Sequence, residues 1–307
     1  MTKAVEVKNL TKSFKTPFGT KRVLDEISFS LEEGEDLGIV GPNGSGKTTL
    51  LKILSTIYLP DSGTAKIFGN DLLTQDFEIR KIISFLSPSF DLQKKLTLKE
   101  TLSFFAGIQK SDVEIAYSFL REVDMTRMLN EKIEKFSEGQ KALSKLAIGI
   151  MKSPKIFIFD EVILNLDQTK REIVLRILKD FSKRTTFILV DHDPLVVDYL
   201  CESVLFITLG GKMLQKGKTS ELIKDIPFNF TIDVQVRPEI FKDFFRKIKL
   251  PFYIEGYSIR VFVPDTEEVA KITQEILKIQ GIISLNVSKV TLTDILHWHY
   301  NIVKDQE

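Results

Sequence analysis

Apolar residues change their spacing several times along the chain, and each change marks a change of element. Over residues 1 to 35 they alternate, with Val5 and Val7, then Ile27, Phe29 and Leu31, which predicts short strands ending at the turn Glu32-Glu33-Gly34-Glu35. Leu37-Gly38-Ile39-Val40 reads as a further strand. Leu50, Leu51, Ile53, Leu54 and Ile57 then share one broad face, as on a helix. Pro60-Asp61-Ser62-Gly63 and Gly69-Asn70 are turns around a strand from Thr64 to Phe68, and Ile82 to Leu86 is a short strand. From Thr97 to Met151 the spacing becomes three and four, through Leu98, Leu102, Phe105 and Ile108 and later Val113, Ala116, Phe119, Leu120 and Val123. That pattern predicts a helical insertion over about 97–151. The continuous runs Ile156-Phe157-Ile158-Phe159 and Phe187-Ile188-Leu189-Val190 suit strands buried on both faces of a parallel sheet.

The pattern shifts after Ile223, where Lys224-Asp225-Ile226-Pro227 looks like a linker. Beyond it the order reads β-α-β-β-α-β-α: Phe230 to Val236, Pro238 to Ile248, a short strand near Tyr253, Ser258 to Val263, Thr266 to Ile279, Ile282 to Val290 and Leu292 to Val303. Asp265 with Glu268, and Thr291 with Asp294, are capping-box starts. The expected organisation is therefore an α/β domain over 1–225 and a small α/β accessory domain over 226–307.

Composition narrows the class. The 307 residues suffice for about two domains. With 43% hydrophobic and 28% charged residues, they can bury a large core. A net charge of +1 and no long Lys/Arg stripe argue against a dedicated nucleic-acid binder. A single cysteine, Cys201, excludes an intrachain disulfide framework and suits a reducing compartment. No apolar run approaches the ~20 residues of a membrane span, so direct membrane insertion is not expected.

The chemistry begins at Gly41-Pro42-Asn43-Gly44-Ser45-Gly46-Lys47-Thr48-Thr49, which satisfies the phosphate-loop pattern G-x-x-x-x-G-K-[ST] between a strand and a helix. Glycines let the backbone curl its N–H groups around phosphates, Lys47 adds charge near the outer phosphates, and the Thr48 hydroxyl is placed to ligate Mg²⁺. Lys155-Ile156-Phe157-Ile158-Phe159-Asp160-Glu161 is an apolar strand ending in two acids, at the end where open α/β sheets bind ligands. Asp160 is the candidate Mg²⁺ partner. Glu161 is the candidate base for the attacking water.

Phe136-Ser137-Glu138-Gly139-Gln140, shortly before these acids, resembles the Leu-Ser-Gly-Gly-Gln signature of ABC-type ATPases. Asn165-Leu166-Asp167 resembles that family's D-loop, His192 its switch histidine, and Phe14 its adenine-stacking aromatic. The resemblance covers about 4–223 and implies an ABC-type phosphate-loop core with an antiparallel β edge and a helical subdomain. It also implies ATP and Mg²⁺ as ligands, and a second ATP-binding subunit, identical or homologous. Two subunits would close head-to-tail, with Ser137, the Gly139 N–H and the helix starting near Gln140 reaching the γ-phosphate of the partner's ATP, and Asp167 of the D-loop is implied among the nucleotide-binding residues. A separate transmembrane permease would be driven by this cycle, placing the chain in the cytoplasm, peripheral on the inner face of the membrane. Val290-Thr291-Leu292-Thr293-Asp294-Ile295-Leu296 resembles the closing segment of the export-type multidrug, antibiotic-resistance and sodium-extrusion group.

Some positions depart from the family pattern. The Q-loop glutamine falls on Pro88, with Gln93 several residues too late, and Glu138 replaces the first signature glycine. Glu161-Val162-Ile163 stands where Glu-Pro-Thr is usual, with Leu164 where serine is common. The alternatives are a soluble ABC-type ATPase acting on nucleic acid or ribosomes, and a weakly hydrolytic partner of a second ATPase subunit. His297 and His299, two apart on an expected helix, diverge and are not expected to hold a metal.

Overall fold

The structure is a computed structural model that describes residues 2–17, 19–191, 193–237, 250–255 and 258–298. It divides into two compact units, Met1–Gly217 and Lys218–Glu307. β1 (Lys3–Thr16), β2 (Gly19–Glu32) and β3 (Leu37–Val40) precede α1 (Lys47–Leu54). β4 (Ser62–Ile67), β5 (Asn70–Asp71), α2 (Asp76–Ile82) and β6 (Ile83–Leu86) lead to α3 (Leu98–Gln109), α4 (Val113–Glu122) and α5 (Glu138–Met151). β7 (Ile156–Asp160), α6 (Gln168–Ser182), β8 (Thr186–Val190), α7 (Pro194–Leu200), β9 (Ser203–Ile207) and β10 (Met213–Lys218) follow.

Two sheets organise the first unit. One is antiparallel, in the order β2-β1-β4-β5, and the other runs β10-β9-β3-β8-β7-β6 with β9, β3, β8, β7 and β6 mutually parallel. All residues of β3, β7, β8 and β9 are buried, as continuous apolar runs require between layers. The expectation of several short strands before residue 35 is corrected. β1 and β2 form one hairpin of 14-residue strands whose register shifts repeatedly. Asn9 and Glu26 take positive φ near these shifts, so bulges interrupt the alternation without ending the strands.

The helical stretch is inserted between β6 and β7, which pair side by side. A Cβ on Gly149 of α5 would stand 2.8 Å from the Phe157 ring, so the helix lies hard against β7. Phe157 also packs edge-on to Phe181 of α6 and Phe187 of β8. Lys152, at the end of α5, donates to the carbonyls of Arg80 and Ile83 at 2.6 Å each. The helix is thereby tied at one end to the strand it covers and to the root of β6.

In the second unit α8 (Thr219–Leu222) precedes β11 (Phe230–Val236), β12 (Phe252–Glu255), β13 (Ser258–Val263), α9 (Thr266–Leu277), β14 (Ile282–Lys289) and α10 (Leu292–His297). The strands form an antiparallel sheet in the order β12-β13-β11-β14. Ile232, Val234, Ile259, Val261 and Ile276 make its core. Buried Asp294 starts α10 by accepting the Thr291 N–H at 2.7 Å and faces Arg260 Nε at 2.8 Å. The expected helix Pro238–Ile248 and the stretch after Trp298, with His299, lie outside the described residues. Among the described residues no helix is long and apolar enough to cross a membrane.

Asp36 is buried at the start of β3, where its carboxylate accepts the Phe187 N–H at 2.8 Å and its carbonyl the Ser203 N–H at 3.2 Å. Burial pushes its carboxyl up to about 6. A raised acid holds its proton more tightly when folded, so this group's contribution falls as pH rises from about 4 through 6. Urea unfolding of the parent and Asp36→Asn is expected to show the parent losing as much as about 3 kcal/mol relative to the variant across that window. Parallel profiles would contradict the assignment.

Candidate functional site

The phosphate loop leaves the C-terminal end of β3. Gly44 and Gly46 take φ of 81° and 98°, the left-handed region in which a side chain is strained. At Gly46 a Cβ would also stand 2.5 Å from the Val23 carbonyl oxygen, and at Gly41 it would stand 2.2 Å from that of Ile207. The curl of Gly41, Pro42, Asn43, Gly44, Ser45 and Gly46 is thus enforced from both sides. α1 starts directly after it, with its apolar residues Leu50, Leu51, Ile53 and Leu54 buried, so its N-terminal end is held at the loop. Ser45 is buried, its Oγ without a hydrogen-bond partner among the described residues.

Lys47 Nζ bends back to the carbonyls of Gly41 at 2.7 Å and Pro42 at 3.0 Å. Burial draws its basicity down, while Glu161 and Asp160 oppose that effect. The next residue makes the connection across the sheet. Thr48 Oγ1 donates to Asp160 Oδ2 at 2.7 Å, joining α1 to the end of β7. Asp160 is 2% exposed. Glu161 turns with φ of 53°, and its N–H donates to the Val190 carbonyl at 2.9 Å. A non-glycine residue held in the left-handed region is a recurrent mark of functional turns. Lysine, hydroxyl and two carboxylates, expected from separate motifs, are therefore brought to one end of one sheet.

Asp191 joins them and was not expected. Asp160 pairs with Val190 across β7 and β8, so the acids that follow each strand, Glu161 and Asp191, are neighbours. Burial pushes the Asp191 carboxyl up, the Asp193 N–H opposes this, and Glu161 adds to the rise. The signal was available: Asp191 follows an apolar run as Asp160 does.

Of the signature residues, Glu138 shares a cavity with Glu161, and the others make local bonds at the start of α5. Ser137 caps α5, its Oγ accepting the Gln140 N–H at 3.2 Å while Gln140 Oε1 accepts the Ser137 N–H at 2.9 Å. Neither bond reaches residues 41–49. A Cβ on Gly139 would stand 2.8 Å from the Asn165 carbonyl oxygen, so the signature turn rests on the D-loop of its own chain. Glu138 pairs with Lys141 at 2.7 Å. Asp167 caps α6 by accepting the Lys170 N–H at 3.0 Å. Phe14 packs edge-on to Tyr58 at 5.6 Å, with Lys12 Nζ 5.4 Å from its centroid. Thr49 lies within the first turn of α1. His192 lies outside the described residues.

A cavity of about 260 Å³ adjoins Glu161, and its lining includes Ser87, Pro88, Glu138, Lys141 and Lys145. Gln93 does not line it; its carbonyl accepts the Leu96 N–H at 3.2 Å.

A glycine-curled loop, a lysine and a threonine bonded to a strand-end aspartate, set on a parallel sheet with an antiparallel edge and a helical insertion, define a phosphate-loop nucleotide-binding protein. Residues 24–163 match the ABC transporter family. An ABC transporter ATP-binding protein of Bacillus subtilis (strain 168), YxdL, is 32% identical over 222 residues, 68% of this chain and 85% of that protein. ABC transporter A family member 8 of Dictyostelium discoideum is 30% identical over 247 residues, and the chain spans only 29% of its length. A solved dimeric ATP-binding cassette in a post-hydrolysis state, bound to ADP and Pi, superposes with a TM-score of 0.64 at 26% identity, covering 70% of this chain and 98% of that one. This chain belongs to the ABC transporter family.

Lys47→Ala is expected to weaken ATP binding roughly ten- to a hundredfold, the worth of a hydrogen-bonded charge. Equilibrium dialysis with labelled ATP checks this. Parent-like affinity would remove Lys47 from the site.

Proposed function

We propose that the chain is the ATP-hydrolysing motor subunit of a membrane transporter, closing on a second ATP-binding subunit around ATP and driving a separate permease. The observation that carries this reading is the Thr48–Asp160 bond, flanked by Lys47 and Glu161. These are the groups phosphoryl transfer to water requires. A hydroxyl and a carboxylate are hard oxygen donors, which suit Mg²⁺ with its retained waters, so Thr48 and Asp160 would hold that ion. When bound, it would neutralise charge on the β- and γ-phosphate oxygens. Glu161 takes the proton of the attacking water. Lys47 exchanges the loop carbonyls for phosphate oxygens, and His192 is assigned to the γ-phosphate by its place in the motif order.

Ser137, the Gly139 N–H and Gln140 would act on the partner's nucleotide, which accords with their local hydrogen bonds. Asp167 stands with them, and Phe14 would stack on adenine. The pairing of Glu138 with Lys141 offsets its carboxylate charge where both line the cavity at Glu161. Export is the direction we propose, from the resemblance of Val290 to Leu296 to the export-type group. The location that follows is the inner face of the membrane, through the permease. A weakly hydrolytic role beside a second ATPase subunit is favoured by one observation, that Pro88 lines the cavity at Glu161 without an amide to offer.

Glu161→Gln is expected to retain ATP binding while turnover drops roughly 10²- to 10⁴-fold, the scale of a positioned general base. It should also trap a closed dimer on sizing chromatography with ATP and Mg²⁺. Undiminished turnover would place the base elsewhere. Pro88→Gln is expected to raise basal hydrolysis with little change in ATP affinity, while Gln93→Ala leaves hydrolysis intact. If Gln93→Ala instead cripples hydrolysis and Pro88→Gln does nothing, the loop uses a shifted register.

A further inference from the structure

A carboxylate oxygen is left over beside Glu161. Asp191 is 8% exposed. Its Oδ1 accepts the Asp193 N–H at 2.8 Å, while its Oδ2 is buried and has no hydrogen-bond partner among the described residues. The charged groups around it are already engaged. Asp193 uses one oxygen to cap α7 through the Leu195 N–H at 2.9 Å and the other to hold Arg171 of α6. Lys47, the cation near Glu161 and Asp160, is turned to the carbonyls of Gly41 and Pro42. A buried charge without a partner is costly, and here burial itself and the like charges of Asp193 and Glu161 all add to that cost. Native proteins keep such a group where a water, an ion or a ligand completes it.

The sheet sets this residue between the two parts of the ion site. The order β3-β8-β7 puts the end of β8 between the strand that leads into the phosphate loop and the strand that ends in Asp160. Thr48 and Asp160 bond across it. Val190, the last residue of β8, pairs with Asp160 and accepts the Glu161 N–H, and Asp191 is the next residue. With strands about 4.8 Å apart, Asp191 starts one strand spacing from either side. On the other flank of β7, where β6 leads to Pro88, that position brings no polar side-chain atom to the cavity at Glu161. Among the described residues no three His, Cys, Asp or Glu side chains stand close enough to hold an ion by themselves. Asp191 would therefore meet the ion through a water, which Mg²⁺ allows because it keeps several of its waters.

We propose that Asp191 is a further carboxylate of the Mg²⁺ site, its Oδ2 accepting a hydrogen bond from a water on the ion held by Thr48 and Asp160. This rests on the reading of those two residues as the ion's holders. Arg171 and Asp193 support it. They fix the turn over 191–193 from α6, the helix that Asp167 caps, so the oxygen is held in place before any ion arrives. Groups bonded to a metal's own ligands orient those ligands and tune the affinity of the site.

The test is equilibrium dialysis of the full chain with the labelled, non-hydrolysable β,γ-imido analogue of ATP, over a range of Mn²⁺ concentrations and separately in EDTA. The parent is expected to bind the analogue more tightly with Mn²⁺. Asp191→Asn keeps an oxygen for the Asp193 N–H and removes the charge. The Mn²⁺ concentration that gives half of the gain should rise about tenfold or more in this variant, while its affinity in EDTA stays that of the parent. Thr48→Ala should raise the same midpoint. Melted without metal, Asp191→Asn should be no less stable than the parent, because the unpaired charge is a cost until the ion arrives. A parent-like Mn²⁺ midpoint in Asp191→Asn would overturn the proposal. So would an equal loss of affinity in EDTA or a lower metal-free melting point, since either marks a structural role. A parent that binds the analogue equally with Mn²⁺ and in EDTA would remove the ion altogether, and the reading of Thr48 and Asp160 with it.

Discussion

The hydrogen bond from Thr48 to Asp160 joins segments 112 residues apart, and it forms only because β3 and β7 end at matching levels with β8 between them. A strand advances about 3.3 Å per residue, so a slip of one position would carry the carboxylate beyond hydrogen-bond reach. The register is held by strands buried on both faces and by the phenylalanines of β7, β8 and α6. The apolar core thus fixes a distance that the polar residues alone could not. Glu161 and Asp191 inherit their adjacency from the same register.

Much of this was legible because sequence distance did not matter to it. The phosphate loop carries its own conformational demand, so Gly44 and Gly46 announce their positive φ wherever they occur. Runs such as Ile156 to Phe159 announce two-sided burial, and Ser258 to Val263, apolar at Ile259, Val261, Phe262 and Val263, is a strand with the expected bounds. The first hairpin was harder. Its bulges at Asn9 and Glu26 break the alternation on which strand length is judged, so one long pair looked like several short strands. Asp191 was overlooked because its neighbourhood is created by strand pairing, and the rest of Gly139 on Asn165 is set by tertiary packing.

The accessory unit shows how a recognisable segment can owe its pattern to folding. In the sequence, Thr291 and Asp294 belong to the family-like segment and mark a helix start. In the fold Asp294 is fully buried and is shared by the Thr291 N–H, Arg260 and Tyr253, whose hydroxyl donates at 3.2 Å. Removing one partner of such a buried ion pair typically costs about 3–5 kcal/mol. That alone would constrain the segment, whatever the unit does for transport.

The close seat of Gly139 on the Asn165 carbonyl has a bearing on how damage at this position is interpreted. A methyl group there would have to lift the first turn of α5 or push the D-loop aside, before any nucleotide is considered. An inactive alanine variant would therefore be ambiguous evidence about phosphate contact, since it would also misalign a second motif that no one had altered. The two segments behave as one heritable unit: a change tolerated in either must leave the other's backbone where it is, and drift in the D-loop is bounded by a glycine it never touches in sequence.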